Sequence, residues 1–298
     1  MSAADLVADG VAGVAGHAAR VAVTGRPRRR VSTRLLRSEL GLVFGRRRNQ
    51  LALVVLAGVP ILIGTALKLS GPSTEGPAFF ARITHNGAFL AFASLVAVLP
   101  LFLPLAVSVV AGDAVSGEAQ SGTLRYLLAV PVGRTRLLVV KYTAIVTFCL
   151  ASTVLVAAVG AAVGLLLFPA GSTTLLSATP VSTAAVLGRL LLVALYVGAG
   201  MAAVGAIGLL VSVLTETPVA AMATTAGVAV LSEVLDAIPQ LHAIQPYLVS
   251  HYWLQFGDLL RDPIATTGLM QGLAAAAAYA AIFGSLAWAR FGGKDVSG

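Results

Sequence analysis

Side chains able to do chemistry are scarce in this chain. Its four histidines, His17, His85, His242 and His251, have no partner at metal-ligand spacing. His251 and Asp258 share a helical face, but two unlike ligands without a third make no metal centre. Cys149 is the single cysteine and sits inside an apolar run, which excludes an intramolecular disulfide and a cysteine zinc site. The lysines are Lys68, Lys141 and Lys294, and none follows a glycine-rich phosphate loop. ATP hydrolysis through that motif is therefore excluded for this chain. Neither H-E-x-x-H nor G-x-S-x-G occurs, so a membrane hydrolase has no support, and no cofactor is expected here. What remains is one long polar interruption between apolar runs, residues 112–141, GDAVSGEAQSGTLRYLLAVPVGRTRLLVVK.

The interruption contains the pattern of a short helix. Ser121 can cap it, its hydroxyl accepting from the free N–H groups of the next turn. Leu124, Leu127 and Leu128 follow at i, i+3 and i+4, an apolar ridge on one face, with Arg125 and Tyr126 flanking it. Pro131 disfavours helical geometry at Val130 and ends the helix after about two turns. Arg134, Arg136 and Lys141 lead back into apolar sequence. A short helix with a greasy ridge, held between two spans, needs another protein to cover it.

Residues Glu118 to Arg136, EAQSGTLRYLLAVPVGRTR, carry a resemblance. The run is similar to the signature of ABC-2-type transporter permeases, in which a Glu precedes Ser-Gly-Thr-Leu, followed by a Leu pair, a Pro and a basic residue. The resemblance in organisation covers roughly residues 33–290. It implies that residues 122–130 are a coupling helix docking on a separate ATPase, with Glu118, Ser121, Gly122, Thr123, Pro131 and Arg134 completing the element. It also implies two ATPase subunits, which would hold the ATP and magnesium, and a second permease copy or paralogue. Export of a drug, antibiotic, lipid or polysaccharide is the expected activity. An importer permease, or a membrane scaffold or sensor without transport, is the alternative.

Composition supports a membrane protein without any motif. Hydrophobic residues make up 58% and charged residues only 11%, with mean hydropathy +0.92, where soluble domains have about 25% charged residues. The net charge of +8 does not indicate nucleic acid, because the basic residues border apolar spans instead of alternating with aromatics.

A helix needs about 20 apolar residues to cross the hydrocarbon core. Six segments qualify, at 51–69, 88–111, 142–168, 184–214, 218–238 and 269–289, so the expected class is an all-α, six-span membrane protein. Pro100 and Pro104 should bend the second span and make it a candidate moving part. Gly160 and Gly164 in the third span, and Gly198, Gly200, Gly205 and Gly208 in the fourth, should allow close packing between helices of one chain. Residues 1–32 read as a basic tail, disordered or weakly amphipathic. Residues 33–50 read as an interfacial helix, with Leu36, Leu40 and Val43 as its stripe. Residues 33–290 form the permease domain and 291–298 a second short tail. Residues 112–141 are its coupling loop.

Sixteen of the 20 Lys and Arg residues fall on the side of the tails and the 112–141 loop, and four on the other. The positive-inside rule then places both termini and the loop in the cytoplasm of a bacterial inner membrane. On the outer side, residues 239–268 are expected to form an amphipathic element. Val249, Tyr252, Trp253, Phe256, Leu259 and Leu260 would face the outer leaflet, with Tyr and Trp at headgroup level. Glu233 and Asp236, near the outer end of the fifth span, are candidates for gating or the substrate path. Glu216 reads as part of the turn between spans four and five.

Overall fold

The computed structural model describes residues 33–70, 87, 89–122, 133–168, 173–174, 180–181 and 183–293. Among these the chain is built almost wholly from helices: α1 (Thr33–Gly45), α2 (Arg47–Ser70), α3 (Phe89–Val98), α4 (Phe102–Gln120), α5 (Arg134–Leu167), α6 (Thr183–Leu214), α7 (Pro218–Asp236) and α8 (Thr266–Gly292). The only sheet among the described residues is a two-residue antiparallel pair, Thr173–Thr174 with Pro180–Val181. Six helices are long and apolar enough to cross a membrane: α2, α4, α5, α6, α7 and α8. The six-span, all-α expectation therefore holds.

α6 is the central helix, and α4, α5, α7 and α8 all pack on it. Its most apolar stretch is 72% buried, against 17% in α2 and 11% in α8. The two poorly buried helices turn residues such as Leu51, Leu62, Met270 and Ile282 outward. Apolar faces of that extent are stable only against lipid or other apolar helices. Without a hydrophobic drive between helices in lipid, close packing supplies the cohesion. Gly160 shows this directly: a Cβ there would stand 2.6 Å from the Cα of Ala91 on α3. At Gly208 of α6 it would stand 2.6 Å from Ala111 Cβ on α4. The glycines serve packing within the chain, as expected. Gly160→Val should force α3 and α5 apart at a cost of roughly 1–3 kcal/mol or more. The check is a lower melting temperature of the purified protein and a lower folded yield in membranes.

The second expected span is not one bent helix. α3 stops at Val98 and α4 starts at Phe102, leaving Leu99, Pro100 and Leu101 between them. Pro100 disfavours helix at Leu99 and offers no N–H to continue the ladder. Pro104 falls in the first turn of α4, where backbone N–H groups have no intrahelical partner, so it is tolerated there. α4 also runs past residue 111 to Gln120, which moves the start of the polar loop by nine residues. Gly112, Asp113, Ser116 and Glu118 are consequently buried helix residues and not part of an exposed loop. α5 begins at Arg134, well before residue 142.

Buried hydroxyls in these helices find partners at once. Ser94, Ser108, Ser116 and Thr225 each donate to the carbonyl four residues earlier. Ser212 of α6 reaches across to α4 and donates to Gly112 O at 2.7 Å. Its oxygen lies 3.0 Å from the amides of Val115 and Ser116.

Residues 239–268, expected on the outer side, depart from expectation as well. They form a chain of 3₁₀ turns, Pro239–Leu241, Gln245–Tyr247 and Trp253–Leu260. Trp253, Phe256, Leu259 and Leu260 are buried within the protein and do not face lipid. Trp253 lies against Gly200, while Arg189 donates to the carbonyls of Leu259 and Arg261. From Arg189 to Gly200 is about 16 Å along α6, so the segment descends that far beside the helix. This non-helical backbone is covered by α6 and α8, the condition under which such backbone is tolerated between spanning helices.

Candidate functional site

Among the described residues, the end of the bundle where α4 finishes and α5 begins carries the largest concentration of buried charge. Lys141, in the second turn of α5, is 3% exposed. Its Nζ lies 2.6 Å from Glu118 Oε1, in the last turn of α4, and 3.4 Å from both carboxylate oxygens of Glu39 on α1. One ammonium thus ties three helices together. Glu39 and Glu118 are also buried. Hydrogen bonds to ionised groups are the stronger kind, and a buried charge is tolerable only when so paired.

A second ion group adjoins the first. Asp113 of α4 pairs with Arg46, at the break between α1 and α2, and with Arg48, whose Nη2 is 3.0 Å away. Arg48 also touches Met222 Sδ of α7 at 3.8 Å. The α1–α2 bend is fixed by side chains acting as caps: Asn49 Nδ2 donates to Val43 O at 2.7 Å, and Gln50 Nε2 to Phe44 O at 2.9 Å. Glu39, Asp113 and Glu118 balance Arg46, Arg48 and Lys141 in formal charge. Between them lies a cavity of about 30 Å³, lined in part by Asn49, Asp113 and Glu118. That is room for a water, and the buried Asn49 Oδ1, with no partner among the described residues, would accept from it.

The described residues that border the expected coupling element are Ser121 and Gly122 on one side and Gly133 and Arg134 on the other. Ser121 is the C-cap of α4, its N–H donating to Gly117 O; the helix it was expected to cap lies outside the described residues. Gly122 has φ +69° and donates to Ala119 O, so it closes α4 in the left-handed conformation that favours glycine. Thr123, Leu124, Arg125, Tyr126, Leu127, Leu128 and Pro131 lie outside the described residues. On the far side, Arg134 opens α5 and donates to Gly292 O at the end of α8. Glu118 is held by Lys141.

Glu233 and Asp236 lie at the opposite end of α7. Asp236 Oδ1 is 2.6 Å from His251 Nδ1, and Gln245 donates to the Asp236 carbonyl at 2.8 Å. Nearby, the hydroxyls of Ser232 and Ser250 meet at 2.7 Å. These contacts fasten the segment of 3₁₀ turns to α7. Asp258 pairs instead with Arg261 at 3.4 Å, so His251 and Asp258 form no ligand pair. No cluster of three or more potential metal ligands occurs among the described residues. Pro100 and Pro104 mark the α3–α4 break, apart from both polar groups.

Sequence reasoning missed Glu39, Arg46, Asn49, Asp113 and Lys141 as members of a site. One signal was readable: Glu39 lies three residues after Leu36 and four before Val43, within the apolar stripe of α1. An acid on that face demands a buried cation.

A family model described as ABC-2 family transporter protein matches residues 46–232, well over half of the chain. The match runs from the α1–α2 break almost to the end of α7 and includes the ion cluster except for Glu39. No curated protein matches the chain.

Proposed function

The chain belongs to the ABC-2 family of transporter proteins, as a multi-pass membrane permease, and from that premise we propose that it is the non-catalytic half of an ATP-driven exporter. Family members of this kind work with ATPase partners. Here the docking element would be residues 121–133, with the Leu124, Leu127 and Leu128 ridge seated on the ATPase. Two permeases and two ATPases would make the complete transporter, and the ATPases would hold ATP and magnesium. The drug, antibiotic, lipid or polysaccharide class remains the proposed cargo.

One observation supports the coupling role most directly. Glu118 and Lys141, which flank the loop on its two sides, are joined to each other and to Glu39 of α1. A displacement of the loop by a closing ATPase would therefore act on α4, α5 and α1 together. Such closure drives transport only if it stabilises one permease conformation over another. A shared ionic joint gives the loop leverage on three helices. Co-expression of the tagged chain with an ATPase of its own operon tests the reading. The ATPase should co-purify, and its hydrolysis should respond to exported cargo. A chain that captures no ATPase and moves no cargo would favour the scaffold reading.

The loop side is assigned to the cytoplasm by the sixteen-to-four distribution of Lys and Arg. Gln120 and Thr266 are both exposed, at opposite ends of the bundle, and Cys149 is buried. Cysteines placed at these two positions in a Cys149→Ala background should differ towards an impermeant thiol reagent. In intact cells Thr266→Cys should label and Gln120→Cys should not. The reverse pattern would invert the topology.

A further inference from the structure

A cavity of about 380 Å³ opens on the side of the bundle between the first turns of α5 and the last turns of α8, a volume within the roughly 300–1,000 Å³ of ligand pockets. Leu138, Val139 and Tyr142 of α5, Leu209 of α6, and Gly284 and Trp288 of α8 form its walls. Two hydrogen bonds bridge α5 to α8 on its loop side: Trp288 Nε1 to Thr135 Oγ1 at 2.8 Å, and Arg134 Nη1 to Gly292 O at 2.7 Å. The cavity lies within one to two turns of the helix ends, and each turn rises about 5.4 Å. That is the depth of acyl chains just below the headgroups. Arg134, Arg136 and Arg290 stand at those helix ends, and neither α5 nor α8 contains an acidic residue. Arg134 and Arg136 precede the lining residues Leu138 and Val139 by one helical turn, and an apolar recess beside so basic a helix start complements an anionic amphiphile.

We propose that this cavity holds an acyl chain of an anionic phospholipid from the loop-side leaflet, with its phosphate at the basic start of α5, Arg134 and Arg136. A neutral lipid would fill the recess but gain nothing from these arginines. The site is independent of the transport direction and of the ATPase assignment, so it stands or falls separately from them.

Trp288 reports on the cavity directly, because it is 54% exposed while the other tryptophan, Trp253, is only 3% exposed. The full-length protein would be reconstituted in phosphatidylcholine vesicles containing a minor fraction of either brominated phosphatidylglycerol or brominated phosphatidylcholine. At equal content, the brominated anionic lipid should quench Trp288 with an apparent affinity about fivefold higher. Ser285→Phe, at an exposed position on the cavity wall, should abolish the preference by filling the recess. Arg134→Gln should reduce it, and high salt should do the same to the unmodified protein. Equal quenching by the two lipids would overturn the proposal. So would a preference that survived Ser285→Phe in a protein of unchanged elution and melting temperature.

Discussion

Lys141→Met should cost about 3–5 kcal/mol, because it leaves two buried carboxylates facing each other without their cation. Glu39 and Glu118 both lie within 3.4 Å of Lys141 Nζ, and both are buried. The expected result is a large drop in melting temperature in detergent, together with loss of cargo-stimulated ATP hydrolysis. The triple variant Glu39→Gln, Glu118→Gln, Lys141→Met separates stability from coupling. Replacing an entire buried ion group by neutral residues is often close to neutral for folding. The triple variant should therefore recover most of the lost melting temperature. If the ionic joint transmits loop movement, it should still fail to couple hydrolysis to transport. Wild-type transport by a stably folded triple variant would reduce the cluster to a packing feature. Unchanged stability of Lys141→Met would show that the carboxylates are not buried against it.

Changing Leu127 and Leu128 together to Ser should weaken co-purification of the ATPase by roughly 10²–10⁴-fold. Each fully buried apolar side chain contributes roughly 1.5–3 kcal/mol, and a factor of ten in affinity corresponds to about 1.4 kcal/mol. The pair would form the centre of a small docking ridge, where binding energy concentrates. Membrane insertion should be unaffected, since neither residue belongs to one of the six spanning helices. The two experiments fail differently. Loss of ATPase binding identifies the docking surface, whereas Lys141 variants should bind the ATPase yet transmit its closure poorly. Full binding and transport by the Leu double variant would remove the coupling assignment from residues 121–133 and favour a scaffold.

Hydropathy along the sequence was enough to identify a six-span, all-α membrane protein. Length and apolarity alone decide whether a helix can cross a bilayer, and both are local properties. The motif between Glu118 and Arg136 was likewise local, and it pointed to the family whose model matches residues 46–232. Glycines at 160 and 208 could be read as close-packing positions because small side chains have few other uses in a span.

Only the tertiary structure decided how far the polar stretch is exposed. Asp113 and Glu118 look like loop residues because they are charged. They belong to α4 because Arg46, Arg48 and Lys141, from elsewhere in the chain, neutralise them there. Trp253 and Phe256 present the pattern of a membrane-surface anchor for the same kind of reason. An apolar stripe states that something apolar covers it, without saying whether that is lipid or protein, and here it is α6 and α8. Pro100 could bend a helix or end one, and the outcome depends on what accepts the freed backbone. In each case the sequence determines what a residue requires, and long-range packing determines which partner supplies it.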